Sequence, residues 1–327
     1  MPQAAWIAPW LAMTDSSEVA GVKSRYNNVR RYNNGAYHAM MAPGMVMLLI
    51  FNVIPIIGVY IAFTRYNPAM PWFGLTSQFV GWKNFNTIFF MSPNTGQVIV
   101  NTLIIAVAKI IAFLVVPVAF ALLLNELYVR WLKRGIQTVV YLPNFLSWVV
   151  VGAMFRQIFL PTGLVNTMLL GLGMKEPIMF LMSNAWFRPI IVFTDVWKGF
   201  GYSAVIYIAA ITAIDMALYE SASIDGAGRW QKMRYITLPG ILPTIVLMST
   251  LALGNILSAG SDQILNMYNP IVYQSGDVLD TFVYRIGLKD GHYNLATAVG
   301  LSKSVISMIL IVVSYVLADR YAGYRIF

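Results

Sequence analysis

Six stretches of this chain are each long and apolar enough for about 20 residues of helix across a bilayer: roughly 40–63, 98–124, 136–160, 187–213, 240–260 and 295–318. In hydrocarbon every backbone N–H and C=O needs a partner within the protein, and an isolated apolar run supplies its own only as a helix. The pattern therefore predicts an all-α integral membrane protein with six transmembrane helices over residues 39–319. An N-terminal segment, 1–38, and a short tail, 320–327, flank it. Pro43, Pro55, Pro117 and Pro143 are expected to bend or start helices. The composition agrees, being 58% hydrophobic and only 11% charged, where soluble domains carry about 25% charge. Cysteine is absent, which excludes disulfides, thiolate zinc sites and a cysteine nucleophile. Met1 to Met13 is apolar with two Trp but has no basic leader; it reads as a short interfacial or disordered segment rather than a cleaved signal.

Orientation follows from Lys and Arg beside the helix ends, because positive residues are retained in the cytoplasm. One set of connecting segments holds Lys23, Arg25, Arg30, Arg31, Arg130, Lys133, Arg134, Arg229, Lys232, Arg234, Arg320 and Arg325. The other holds Arg65, Lys83, Lys175, Arg188, Arg285 and Lys289, spread over longer loops. Twelve against six predicts both termini in the cytoplasm. The net charge of +9 thus lies at membrane edges, and a nucleic-acid-binding face is excluded.

Between the fourth and fifth spans, Asp215 to Pro239 begins with helix formers, has glycines at 226 and 228, and re-enters the membrane at a proline suited to a first helical turn. A short helix, a turn and a new span are expected. The helix, carrying Tyr219, Ala222 and Ile224, is either a plain connector or a rigid element that fits a partner's groove and passes on a movement.

The residues themselves narrow this choice. Glu220, Ala222, Gly226, Ile236, Leu238 and Pro239 resemble, with unchanged spacing, the EAA motif of ABC importer permeases; Ser221 stands where the motif has its middle alanine, one small residue for another. The resemblance implies the fold of a type I ABC importer permease with a cytoplasmic coupling helix at 215–239. In that family the helix docks into an ATPase, so Glu220, Ser221, Ala222, Asp225 and Gly226 become interface and turn residues, and Ile236, Leu238 and Pro239 lead into the next span. ATP and Mg would be bound by that partner, with no cofactor, metal or catalytic residue in this chain.

A second resemblance covers the chain from about residue 40 onward. Tyr141-Leu-Pro-Asn-Phe-Leu-Ser-Trp148, Trp197-Lys-Gly-Phe-Gly201, Tyr207-Ile-Ala-Ala210 and Asp280-Thr-Phe-Val-Tyr-Arg-Ile-Gly-Leu288 through Ala296-Thr-Ala-Val-Gly-Leu301 are similar to oligosaccharide and polysaccharide permeases of the alginate and aldouronate type. This implies a sugar substrate, a related second permease, two ATPase copies and an extracytoplasmic solute-binding protein.

Ionisable residues inside spans are candidates for a substrate path. Asp195 and Lys198, three apart on one helix, are expected to neutralise each other. Lys109, Arg156 and Lys303 are left without acidic partners in the spans, either as a basic lining for an acidic sugar such as a uronate oligomer or as groups that snorkel or hold carbonyls at helix breaks. Phe145, Trp148, Trp197, Tyr202 and Tyr207 offer ring faces for sugars, with Asn144 and Gln157 as polar companions. Tyr273, Tyr284 and Tyr293 are expected at the outer gate or binding-protein contact. An ion-driven secondary sugar transporter is the rival, but it would show intramembrane acids and repeated halves, whereas this chain has one such acid, Asp195, and no visible repeat. His38 and His292, the two histidines, fall on opposite sides in this topology and form no metal or acid–base pair.

Overall fold

The computed structural model describes residues 35–70 and 76–322; the predicted interfacial segment Met1–Met13 and the end of the tail lie outside the described residues. The chain divides into two units, Met1–Val59 and Tyr60–Phe327. The first apolar stretch is helix α1, Gly35–Phe63. Its winding widens to a π turn at Leu49–Val53 and tightens to a 3-10 helix over Ile54–Phe63. Pro55 accounts for the change, since it has no N–H to donate and its ring crowds the preceding turn. Met47, Leu48, Leu49, Ile50 and Phe51 are all exposed, a surface suited to lipid.

The second unit is built on α2, Thr95–Asn125, and α6, Asn184–Thr212, which pack along much of their lengths. Between them lie α3, Arg130–Tyr141, α4, Trp148–Ile158, and α5, Leu164–Gly171. After α6 come α7, Met216–Ile224, α8, Arg229–Gly254, α9, Ser261–Met267, α10, Leu279–Tyr284, and α11, Tyr293–Ala322. Among the described residues the α1, α2, α8 and α11 helices are each long and apolar enough to cross a membrane, and counting each of two bent pairs, α3 with α4 and α6 with α7, as one span brings the candidates to as many as six.

One predicted span is not a continuous helix. Residues 136–160 are split by a 102° bend between α3 and α4. Pro143 sits in a 3-10 turn, Leu142–Phe145, where it removes one helical hydrogen bond and disfavours helix in the residue before it. Ser147 then restarts the helix by accepting the Val150 N–H on its Oγ. A second prediction, 240–260, runs too far. The helix stops at Gly254, and Gly260 adopts a left-handed φ of 86°, so the last residues of that apolar stretch are unwound.

Among the described residues, buried contacts gather in three clusters. The largest joins Ile105 of α2, Val151 and Phe155 of α4, Phe187, Ile190 and Ile191 of α6, and Ile264 and Met267 of α9. Without a hydrophobic drive between helices in lipid, close approach rests on small residues. Gly201 is such a place: a Cβ there would stand 2.4 Å from the Val140 carbonyl oxygen of α3. Gly201→Leu is expected to separate α3 from α6 and to destabilise the fold by about 1–3 kcal/mol or more, read as a lower thermal midpoint of the detergent-solubilised protein.

Candidate functional site

Helix α7 leaves the end of α6 at a 67° bend. Asp215 caps its start, its Oδ1 accepting the Ala217 N–H at 2.9 Å. At the other end Gly226 has a φ of 77°, its N–H donates to the Ser223 carbonyl, and the Ala227 N–H donates to the Ala222 carbonyl at 2.8 Å. This paired closure stops a helix sharply and needs a left-handed residue, which explains glycine at position 226. The Gly228 N–H donates to Gln231 Oε1 at 2.7 Å, and α8 begins.

Two side-chain contacts close the hairpin. Tyr219 Oη and Thr237 Oγ1 share a hydrogen bond of 2.8 Å, and Lys232 Nζ donates to Ser223 Oγ at 2.6 Å. Tyr219 therefore faces its own chain. The outward surface instead carries Ile224, 88% exposed, with Met216, Leu218, Trp230 and Tyr235 also exposed. Glu220, Ser221 and Asp225 are exposed, Ala222 and Ile236 half-buried, and Leu238 and Pro239 open the regular part of α8 beyond a π turn. The motif thus spans a joint, one half on α7 and the other in the helix that enters the membrane.

The intramembrane charges pair differently from the sequence expectation. Asp195 does not pair with Lys198. It holds Lys109 of α2, with Nζ 2.8 Å from its Oδ2. Lys109 also donates to the Ala259 carbonyl at 2.7 Å and to Gln263 Oε1 at 2.5 Å. Gln263, fully buried, passes hydrogen bonds on to the Ile191 carbonyl and Thr194 Oγ1, both at 2.7 Å. Lys109 is thus a buried clamp on the unwound stretch after α8, the carbonyl-holding alternative, and not a free lining charge. A Cβ on Gly260 would stand 2.8 Å from its Nζ. Lys303 pairs with Asp280 and is not free either.

Lys198, released from Asp195, donates to the Asn144 carbonyl at 2.9 Å and lies 5.4 Å from the Trp148 ring centre. It stands at the break between α3 and α4, with Phe145, 75% exposed, beside it in the 3-10 turn. Tyr202, 55% exposed, lies one turn further along the same face of α6. Arg156 and Gln157 are exposed on α4, and Arg156 edges a cleft of about 290 Å³ with Phe159, Phe180, Tyr268 and Asn269. Among the described residues no carboxylate lies within 4 Å of the Lys198 or Arg156 side-chain nitrogens. Two ring candidates are packing residues: Tyr207 is 2% exposed in the core, and Trp197 meets Phe155 edge-on at 5.2 Å.

The long connection between α8 and α11 is laced to the bundle. Asn101 donates to the Asp277 carbonyl at 3.0 Å, and Arg188 donates to Asn101 Oδ1 at 2.6 Å and to the Ser275 carbonyl at 3.0 Å. Asp277 itself is held by Arg285 and Thr281, and burial pushes its carboxyl above the usual aspartate range, against the pull of those two partners. Tyr273 lies under the Arg285 guanidinium at 4.4 Å, Tyr284 is 38% exposed, and Tyr293 stacks edge-on against Tyr66 at 5.7 Å.

The family described as the binding-protein-dependent transport system inner membrane component matches residues 116–323, nearly two thirds of the chain. The chain belongs to this permease family. A polygalacturonan/rhamnogalacturonan transport system permease of Bacillus subtilis (strain 168) is 37% identical over 285 residues, covering 87% of this chain and 88% of its own length. A lactose transport system permease of Rhizobium radiobacter is 27% identical over 221 residues, covering 67% and 72%. Among solved structures, a chain of a bacterial alginate ABC transporter, crystallised with its alginate pentasaccharide-bound periplasmic protein, superposes with a TM-score of 0.81 at 35% identity, covering 90% of this permease and 97% of that chain.

Sequence reasoning missed the Lys109–Asp195 pair because its members lie on different helices, and spacing along one helix can never reveal such a partner. Removing one member should leave a buried charge alone. Lys109→Met is expected to destabilise the permease by about 3–5 kcal/mol, and the double change with Asp195→Leu by much less. A double-mutant cycle on thermal midpoints checks this; additive losses would show that the pair does not act as a unit.

Proposed function

We propose that this permease forms half of the translocation path of an ATP-driven importer of acidic oligo- or polysaccharide. The observation that carries the reading is the group at the α3/α4 break: a lysine without a carboxylate partner, Lys198, over the ring of Trp148, with the exposed rings of Phe145 in the same turn and Tyr202 one helical turn along α6. Sugar rings stack their C–H faces on aromatic side chains, and a half-buried ammonium attracts a uronate more strongly than it would in water. Arg156 would add a second cation further along α4. The names of similar proteins, one for polygalacturonan and rhamnogalacturonan and one for alginate, support the same substrate class.

In this reading the loop end of the bundle faces the cytoplasm together with both termini, as the distribution of Lys and Arg supports. A related second permease completes the path, two ATPase subunits bind ATP and Mg and dock on the two coupling helices, and an extracytoplasmic solute-binding protein delivers the sugar. Closure of the ATPase pair would carry α7 with it. Because α7 is clamped to the start of α8 through Tyr219 and Lys232, its displacement passes into that span as a rigid-body movement, and the path switches from inward- to outward-facing. No cofactor is assigned to this chain.

Two measurements test the proposal. Replacing Lys198 or Arg156 by Gln in the reconstituted transporter is expected to lower uptake of uronate oligomers by about tenfold or more, the worth of one charge-assisted contact, with neutral oligosaccharides much less affected and Lys198→Arg retaining the preference. Equal losses for charged and neutral sugars would overturn the charge argument. Ile224→Cys, the most exposed of the large apolar residues on α7, is expected to cross-link to a cysteine in the ATPase docking groove of an active complex, and uptake should stop when ATP hydrolysis is blocked but survive collapse of the proton gradient.

A further inference from the structure

A cleft of about 400 Å³ lies where the coupling hairpin meets the ends of α2 and α6. Its walls carry two cations, Arg229 and Lys232, with Glu126 the one carboxylate among its lining residues. Both cations are held in place. The Arg229 guanidinium lies 4.8 Å from the centre of the Tyr128 ring, and Lys232 rests on Ser223. Neither is engaged by the helix ends beside it. The last carbonyls of α6 are already paired, those of Ala209 and Ala210 by the Ala213 N–H and that of Ile211 by the Ile214 N–H, and in α2 the carbonyls of Leu122 and Leu124 accept the N–H groups of Glu126 and Leu127.

The cleft also sits at a particular depth. It is formed at the ends of two spans, and Ile211, Ile214 and Met216 give it an apolar wall. Helix α3 starts two residues beyond Tyr128 with Arg130, Lys133 and Arg134, and Trp131 and Tyr128 are 75% and 74% exposed. Basic residues interleaved with Trp and Tyr on a helix at a membrane edge are the chemistry that meets anionic headgroups.

We propose that this cleft binds the phosphodiester of an anionic phospholipid, with its phosphate between Arg229 and Lys232 and its acyl chains along the Ile211, Ile214 and Met216 wall. Glu126 sets the charge selectivity. It tolerates a singly charged phosphodiester and repels more strongly a free phosphate, whose mean charge at neutral pH lies between one and two, so free phosphate is a poor occupant. Both cations belong to the hairpin that joins α7 to α8. A bound lipid therefore ties the coupling loop to the leaflet and gives the hairpin a fixed point against which to move. The inference is independent of which sugar is carried, although it takes the loop end as the membrane edge proposed above.

Native mass spectrometry of the complete transporter tests it, with phosphatidylglycerol or phosphatidylcholine added at equal concentration. The wild type is expected to retain phosphatidylglycerol about tenfold better than phosphatidylcholine, and inorganic phosphate should not displace it. The double variant Arg229→Gln/Lys232→Gln is expected to lose that preference, while Arg229→Lys and Lys175→Gln, the latter in the loop ahead of α6, keep it. Equal retention of the two lipids by the wild type, an unchanged preference in the double variant, or displacement by inorganic phosphate would each overturn the proposal. If the double variant does not assemble, Glu126→Gln decides: tighter phosphatidylglycerol and new competition by inorganic phosphate support the site, and no change in either overturns it.

Discussion

A lysine ammonium buried in a membrane protein is tolerated only where acceptors surround it, and Lys109 has three: the Asp195 carboxylate, the Ala259 carbonyl and Gln263 Oε1. Each comes from a different part of the chain. Asp195 fixes α2 to α6, Gln263 fixes α9 to α6 through Ile191 and Thr194, and Ala259 belongs to the stretch that has left the helix after Gly254. Unwound backbone at this depth exposes carbonyls that lipid cannot satisfy. The charge and the break therefore require each other, because without Lys109 the carbonyl of Ala259 loses its donor, and without the break Lys109 has fewer acceptors.

The same arrangement sets how movement can travel. Helix α8 runs from the clamped coupling hairpin at Arg229 to Gly254, and immediately beyond it comes the stretch held by Lys109. A helix that is rigid along its length transmits displacement to its end. The end of α8 is where glycine and irregular backbone allow a change of direction, and α9, which follows, packs on α4 just past the 102° bend. The coupling loop and the proposed sugar-facing break are thus joined by one helix, one clamped turn and one short helix, each with a stated contact.

The parts of this arrangement that were legible in sequence are those encoded locally. Apolar length gave the crossings, because a span must satisfy its own backbone. The helix formers after Asp215, the glycines at 226 and 228 and the spacing from Glu220 to Pro239 gave the joint, because helix propensity, turn glycines and proline starts are properties of neighbouring residues. Pro143 announced a break but neither its angle nor the contact there, Lys198 reaching across from α6 to the Asn144 carbonyl. The failures were partner assignments. Asp195 with Lys198 was the natural pair at helical spacing, but α2 and α6 pack closely enough to bring Lys109 nearer. Nor does anything in the sequence of α7 show Thr237, eighteen residues on, folding back against Tyr219.

Lys109 and Lys198 together show why a permease would keep one of its cations incompletely neutralised. A transporter must hold its substrate strongly enough to select it and weakly enough to let it go. A lysine fully paired with a carboxylate, as Lys109 is, offers a passing uronate almost nothing, since the incoming charge would have to displace an existing one. A lysine with no acceptor at all would be strongly desolvated and would grip any carboxylate that reached it. Lys198 lies between these limits. It is anchored by a neutral carbonyl and a ring face, both of which yield to a full negative charge at modest cost, and neither of which draws the ammonium away from the break. In the proposed path, the Asn144 carbonyl, left open where the helix breaks after the 3-10 turn, would then do two things: position the cation and set how firmly it can bind.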